Sequence, residues 1–222
     1  NEDLQPETSH QYQFQWAYSW LKTGIDLDLS LFYNDVSDQI TFFQTDQVNQ
    51  ATSYINLLRS RTTGLNFTLK GQEQTLQWSA GIGWLGFYQD LYGEEDVPRY
   101  LFNPSANASL AYQWKKPGID LALFYRFTGP QQAYQQIGSG AEQTVELRRL
   151  DGFHWLDCSI TKRWGKGISL STGLHNALNI QTVDNSLAGD TAHGGGGNGQ
   201  QAVAYGRSWF VRLNYQFSKT TP

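Results

Sequence analysis

The chain has 222 residues, of which 39% are hydrophobic and 14% aromatic, and a formal net charge of −4. Its mean hydropathy is −0.51, and no apolar run approaches the ~18 residues of a membrane-spanning helix, which excludes helical spans. The slight negative charge and the lack of basic runs argue against a nucleic-acid partner. A transmembrane β-barrel stays compatible, because its alternating strands are polar on average.

Apolar and polar residues alternate along almost the whole chain. The alternating segments, in chain order, are His10–Trp20, Ile25–Tyr33, Tyr54–Lys70, Leu76–Trp84, Ala106–Trp114, Ile119–Phe127, Leu156–Trp164, Ile168–His175 and Gly206–Phe217. Strict alternation is typical of strands that have one apolar face, and no segment has a helical period. The sequence therefore predicts an all-β fold of nine antiparallel strands in up-and-down order.

The connections between these segments alternate in length. The tight ones are Leu21–Gly24, Gly71–Gln74, Lys115–Gly118 and Gly165–Gly167, and the longer ones are Asp46–Ser53, Gln89–Leu101, Gly129–Asp151 and Asn179–Ala204. In an up-and-down sheet, alternate connections lie at the same end. All tight turns should therefore lie at one end, as the short periplasmic turns of membrane barrels do.

The apolar side of the strands faces either a protein core or lipid. A soluble β-sandwich or lipocalin-like barrel would have its apolar face inside. Two features favour a transmembrane barrel instead. The polar sides are rich in uncharged residues, and aromatic residues on the apolar side adjoin the tight turns, as in a membrane girdle: Trp20, Trp114, Trp164, Tyr215 and Phe217. On the last strand, the residues predicted to face lipid are Trp209, Val211, Leu213, Tyr215 and Phe217.

The number of strands predicts an incomplete barrel. Single-chain bacterial barrels have an even number of strands, and an open sheet in hydrocarbon would leave two unpaired edges. With the tight turns in the periplasm, the first and the last strand both run inward, as in the last nine strands of an even-numbered barrel. We expect the N-terminal strands to be absent or to lie in another chain.

Several stretches resemble, in order, the C-terminal third of TonB-dependent outer-membrane receptors. They are Asn1–Phe14 (NEDLQPETSHQYQF), Leu29–Ile40 (LSLFYNDVSDQI), Tyr54–Leu69 (YINLLRSRTTGLNFTL), Gly173–Asn179 (GLHNALN) and Gly206–Phe217 (GRSWFVRLNYQF). The chain departs from the family pattern at Glu2, where proline is usual, and at Asn66, where glutamate is usual. A five-residue tail, 218–222, also follows the terminal aromatic residue.

This resemblance implies a barrel of about 22 strands that encloses an N-terminal plug. Residues 1–217 would be the C-terminal part of the barrel, and the plug and first strands would lie outside this sequence. The implied function is TonB-driven uptake of a ferric siderophore, haem, cobalamin or a similar scarce nutrient across the bacterial outer membrane. The implied partners are the plug, the remaining strands, the TonB complex, the lipid bilayer, the outer-membrane insertion machinery and a surface lipoprotein. A passive porin-like barrel and a soluble carbohydrate-binding β protein are the alternatives.

The long connections contain the candidate ligand-binding residues. His193 adjoins a run of four glycines and is a candidate contact for haem, a metal or a corrin, the alternative being a solvated histidine. Glu94, Glu95 and Asp96 are candidate Ca²⁺ ligands, although they lack the spacing of an EF-hand. We find no catalytic set, and the sequence predicts neither an enzyme nor a bound cofactor.

Charged residues within the strands are assigned to the lumen. They are Asp26, Asp28, Arg59, Arg61, Asp120 and Arg212. Buried charges need partners, so the acids are expected to pair with arginines of the plug, and the arginines with carboxylates or an anionic ligand.

Overall fold

The computed structural model describes residues 4–46, 51–89, 100–137, 144–165, 167–186 and 199–217. The strands are β1 (Thr8–Trp20), β2 (Ile25–Asp46), β3 (Ala51–Glu73), β4 (Leu76–Gln89), β5 (Leu101–Trp114), β6 (Ile119–Thr128), β7 (Gln131–Ile137), β8 (Thr144–Leu150), β9 (Phe153–Trp164), β10 (Ile168–His175), β11 (Thr182–Asp184), β12 (Gln200–Ala202) and β13 (Ser208–Tyr215). Within the described ranges, no helix is long and apolar enough to cross a membrane.

Nine of the strands form one antiparallel sheet in the order β1-β2-β3-β4-β5-β6-β9-β10-β13. The four others form two separate two-stranded ribbons, β7–β8 and β11–β12. These ribbons are inserted between strands that are neighbours in the sheet. The nine-stranded up-and-down sheet confirms the fold predicted from the alternation.

The register defines two faces of the sheet. Directly opposed residues of paired strands lie on the same face. One such row crosses all nine strands through Trp20, Ile25, Gly71, Trp78, Leu110, Leu123, Cys158, Leu174 and Trp209, on what we call the apolar face. The adjacent row lies on the polar face and includes Ser19, Asp26, Lys70, Ser79, Ser109, Phe124 and Asp157.

The strands are staggered regularly. The apolar row passes through Trp20, the last residue of β1, but meets β5 at Leu110, four residues before Trp114. It meets β13 at Trp209, six residues before the end of that strand. Since the tight turns lie at one end, this stagger is close to one residue per strand. With about 3.3 Å per residue and about 4.8 Å between strands, the strands tilt by roughly 35°, as in closed barrels.

The tight turns are linked to one another through the backbone. Gly24, Gly118 and Gly167 have φ angles of 63°, 65° and 78°, in the left-handed region that glycine adopts without strain. A residue of each turn accepts a hydrogen bond from an amide of the following hairpin: Gln72 to Gly24, Gln113 to Thr75, Arg163 to Gly118 and Gln216 to Gly167. This end of the sheet therefore has a continuous backbone connection.

The opposite end, which we call the long-loop end, differs from the sequence prediction. The segments Gly129–Asp151 and Asn179–Ala204 were predicted as loops, but they contain the ribbons β7–β8 and β11–β12. The two ribbons contact each other through a bridge between Leu150 and Asn185. The Arg149 amide also donates a 2.7 Å hydrogen bond to the Ser186 hydroxyl.

The described residues bury very few hydrophobic side chains. Only Val36, Leu101 and Val183 are buried, whereas most large apolar side chains of the sheet are exposed. Neither face of the sheet is covered by a second layer of the described chain. A sheet with an apolar face must bury that face against another layer or lie in a membrane.

Candidate functional site

Aromatic side chains line the apolar face at the end of the tight turns. The members of this lower belt are exposed, and they are Trp20, Trp114, Trp164, Tyr215 and Phe217. Tyr18 and Trp20 contact edge to face at 4.6 Å between ring centroids, as do Tyr215 and Phe217 at 4.4 Å. Lys162 also lies on this face, and its ammonium group donates to the Pro117 carbonyl in the adjacent turn. A long basic side chain that reaches out of an apolar band in this way is typical of a membrane interface.

A second belt of aromatic residues crosses the apolar face toward the long-loop end. This upper belt consists of Tyr12, Tyr33, Trp84, Tyr88, Tyr100 and Phe102, which form a chain of ring contacts with gaps. Lys162 is in register with Trp114 of the lower belt. Between that level and the upper belt, the described residues of the apolar face include no Asp, Glu, Lys or Arg. The apolar face is therefore a band without charge, bordered on both sides by aromatic residues.

The residues predicted to face lipid on the last strand lie on this apolar face. Trp209, Val211 and Leu213 are opposed to Leu174, Thr172 and Leu170 of β10 and are 75%, 59% and 69% exposed. Tyr215 and Phe217 continue the same side to the lower belt. Part of this exposure arises because β13 is an edge of the described sheet.

Arg59 and Arg61 do not lie with the other charged residues. The register opposes Arg61 to Asp35 and Arg59 to Ser37, on the same face as Phe67. The prediction that grouped both arginines with Asp26, Asp28, Asp120 and Arg212 on one side of the sheet is therefore wrong. The physical reason is simple parity, because no bulge interrupts β3 between Arg59 and Phe67.

A charged cluster lies on the apolar face at the outer edge of the upper belt, beyond Tyr33 and beside Tyr88. Arg59 donates two hydrogen bonds to Asp35, of 2.8 and 2.5 Å. The nearest atoms of Arg61 and Asp35 are 3.6 Å apart, and the Arg61 guanidinium lies 5.6 Å from the centre of the Tyr88 ring. Arginine and aspartate side chains are both charged at neutral pH. The cluster thus has two positive charges and one negative charge at neutral pH.

The polar face contains the remaining predicted charges, and two acids have partners within the sheet. Asp120 forms an ion pair with Arg163, with 2.6 Å between the guanidinium nitrogen and the carboxylate oxygen. The Asp28 carboxylate lies 3.4 Å from the Lys70 ammonium nitrogen. Arg212 is opposed to Ser171, on the row that includes Asp120, and its guanidinium lies 6.0 Å from the centre of the Phe210 ring. Pairing of these acids with arginines outside the chain stays a prediction.

A hydrogen-bond network at the long-loop end was missed by the sequence analysis. One oxygen of Asp157 accepts hydrogen bonds from the Trp155 indole at 2.7 Å and from the backbone N–H of Asn176 at 2.8 Å. The other oxygen lies 3.3 Å from Nδ1 of His175. The Asn176 side chain is 1% exposed and bonds in both directions to the backbone of Ile180. The only sequence signal was the Asn-containing motif GLHNALN, which predicts a turn but not its partners.

The predicted ligand-binding residues Glu94, Glu95, Asp96 and His193 lie outside the described residues. Among the residues that the structure describes, no group of three or more His, Cys, Asp or Glu side chains is arranged to hold a metal ion. The predictions for these four positions therefore stay predictions.

The fold defines a class: a piece of an up-and-down β-barrel wall with an uncovered apolar face. The sequence matches the family described as "TonB dependent receptor-like, beta-barrel" over residues 1–177. The chain therefore belongs to the TonB-dependent receptor family, whose members are receptors and transporters with barrels in the outer membrane.

Several solved structures share this fold. The copper transporter OprC is 18% identical, with a TM-score of 0.67 over 97% of this chain. The FrpB iron transporter from Neisseria meningitidis is 16% identical, with a TM-score of 0.63 over 97% of this chain. The ferric enterobactin receptor PfeA from Pseudomonas aeruginosa is 21% identical, with a TM-score of 0.61 over 98%. The chain spans 32% of the length of each of these proteins.

Proposed function

We propose that this chain is the C-terminal part of the barrel of an outer-membrane receptor that imports a scarce nutrient with energy supplied through TonB. The observation that carries the proposal is the uncharged apolar band between two aromatic belts, on a sheet with the fold of this family. Such a band must be shielded from water, and the hydrocarbon of the bilayer is the layer that covers it in a membrane barrel.

In this proposal, residues 1–217 form barrel wall and residues 218–222 a tail. The apolar face contacts lipid, and the polar face lines the lumen and contacts an N-terminal plug. The two edge strands, β1 and β13, pair with the remaining strands of the barrel. The outer-membrane insertion machinery recognises the aromatic last strand, and a surface lipoprotein is a further proposed partner.

The proposed nutrient is ferric iron in a siderophore complex. Structures with the same fold include an iron transporter and a ferric enterobactin receptor. Their cargo supports the proposal of an iron-containing nutrient. Copper, haem and cobalamin are the other candidates, the first because the copper transporter OprC has this fold. Glu94, Glu95, Asp96 and His193 are proposed to contact the ligand at the long-loop end.

Growth of a deletion strain tests the transport proposal. We expect the strain to lose growth, or metal accumulation, on one defined source of iron, copper, haem or cobalamin. Deletion of TonB in the parent strain should have the same effect on that source. Uptake that depends on this protein but not on TonB would identify a passive barrel. Normal growth on every source would contradict the proposed cargo.

The purified receptor tests the membrane proposal independently of cargo. We expect it to require detergent and to migrate differently on a gel before and after heating, because closed barrels resist unfolding by detergent at room temperature. A protein that is monodisperse in buffer without detergent would contradict the proposal.

A further inference from the structure

The charged cluster of Asp35, Arg59 and Arg61 has an unusual position for charges on the apolar face. Asp35 lies ten residues along β2 from Ile25, the residue opposed to Trp20 in the lower belt. At about 3.3 Å per residue and a tilt of roughly 35°, the cluster is about 27 Å above the lower belt. An outer-membrane barrel has an apolar band about 25 Å tall. The cluster therefore lies where hydrocarbon gives way to lipid headgroups.

The end of the sheet determines which leaflet these headgroups belong to. The cluster lies at the long-loop end, beyond Tyr33 and beside Tyr88. Membrane barrels have their short turns in the periplasm and their long loops outside the cell. The cluster would thus face the outer leaflet.

The hydrogen bonds of the cluster leave one guanidinium unsatisfied. Arg59 occupies both oxygens of Asp35, at 2.8 and 2.5 Å. Within the described residues, Nε of Arg61 is inaccessible to solvent and forms no hydrogen bond, although the side chain as a whole is 27% exposed. The single carboxylate therefore forms hydrogen bonds with one arginine and leaves the second with unused donors. The cluster as a whole has a net charge of +1.

We propose that Arg61, together with Arg59 and Tyr88, binds a phosphate group carried by a lipid of the outer leaflet. The inference rests on the proposed membrane embedding. The planar guanidinium of arginine binds phosphate oxygens through two parallel hydrogen bonds, and an anion balances the excess positive charge. Asp35 holds Arg59 in place, and the Tyr88 ring holds the Arg61 guanidinium against the barrel wall. The bound lipid's acyl chains would then lie along the uncharged band below the cluster.

An ion pair that only joins β2 to β3 would explain Arg59 but not Arg61. Such a pair needs one arginine. Arg59 already donates to both oxygens of Asp35, whereas Arg61 approaches the carboxylate only to 3.6 Å and forms no hydrogen bond with it. Arg163 on the polar face shows the simpler arrangement, one arginine on one carboxylate, Asp120, at 2.6 Å. Arg163 therefore offers a matched control.

The test is native mass spectrometry of the purified receptor in detergent, titrated with diphosphoryl lipid A and, separately, with lipid A from which both phosphates have been removed. We expect the wild type to bind the phosphorylated form more tightly. Arg61→Gln should weaken that binding about tenfold, the effect of losing a charge-assisted hydrogen bond. Arg61→Lys should weaken it less, and Arg163→Gln should leave it unchanged.

Each alternative result overturns the inference in a distinguishable way. Equal binding of the two lipid forms by the wild type, which needs no variant, would exclude a phosphate site. Complete competition by millimolar inorganic phosphate would indicate a site for the free ion rather than for a lipid. Equal weakening by Arg61→Gln and Arg163→Gln would indicate non-specific attraction. If the receptor is monodisperse without detergent, the proposed function fails together with this inference. If it is heat-modifiable but has no phosphate preference, only this inference fails.

Discussion

The two ends of the sheet are held together by different parts of the chain. At the end of the tight turns, backbone carbonyls of the turns accept hydrogen bonds from the next hairpin, and three of the turns contain a glycine with positive φ. At the long-loop end, backbone contacts such as the Leu150–Asn185 bridge are supplemented by side chains: Asp157 and Asn176 in one network, Asp35 and Arg59 in the other. The first end is connected mainly through the backbone, and the second through backbone and side-chain hydrogen bonds together.

The two ends of the sheet therefore suit different tasks. A backbone connection repeats at each hairpin whatever the side chains are, so it suits the end that only has to close the barrel. Side-chain networks support connections of unequal length, such as the ribbons β7–β8 and β11–β12. Loops positioned by a rigid scaffold are where binding residues concentrate, which supports the proposal that ligand recognition takes place at the long-loop end.

The largest effect is expected at the long-loop end for Asn176→Ala. The change removes two side-chain hydrogen bonds to Ile180 from a buried site, and alanine tolerates the φ of 51° less well. The loss should be about 2 kcal/mol of unfolding free energy. Urea unfolding in detergent measures it, with faster amide exchange at Ile180. The exposed Asn214→Ala is the control, and an equal effect of both changes would contradict the account of this end.

A smaller effect is expected at the opposite end for Gly118→Ala. The added Cβ would lie 2.7 Å from the Arg163 carbonyl oxygen, at a φ of 65°. The strain should cost about 1.5 kcal/mol. Gly165→Ala, in a neighbouring tight turn with no atom within 4 Å of the new Cβ, should cost less than half as much. Equal losses would show that the backbone connection does not hold this end together.

The smallest effect is expected for the side-chain pair at the end of the tight turns. Arg163→Gln removes the ion pair with Asp120, but the arginine is 48% exposed. Exposed pairs contribute less than about 1 kcal/mol, so the unfolding free energy should fall by roughly 0.5 kcal/mol. A loss greater than that of Gly118→Ala in the same urea titration would reverse the comparison between the two ends.

The strands of the sheet were predictable because one face of each is apolar. His10–Trp20, predicted from alternation alone, corresponds to β1 at Thr8–Trp20. The ribbon β7–β8 was not predictable in this way. The sequence of β7 is QQAYQQI, which has no alternation of apolar and polar residues. Period-two patterns arise where one face of a strand is apolar, and the sequence of β7 contains no such face.

The positions of side chains also differ in how far they could be predicted from the sequence. The face of Arg59 and Arg61 was readable from their parity with Phe67, and the error came from assuming that charges avoid the apolar face. The partners of Asp157 were not readable, because Asn176 is 19 residues away and is brought near by the register of β9 with β10. Parity is local, whereas a hydrogen-bond network depends on strand pairing and loop conformation.

The central claim is that the apolar face contacts lipid and the polar face does not. Spin labels at consecutive positions of β13 test it most directly, in the receptor reconstituted in lipid vesicles with Cys158 replaced by serine. Labels at positions 211 and 213, in place of Val211 and Leu213, should be accessible to oxygen dissolved in the bilayer. Labels in place of Arg212 and Asn214 should be more accessible to an aqueous nickel complex. Accessibility that does not alternate, or greater nickel accessibility at 211 and 213, would contradict the account.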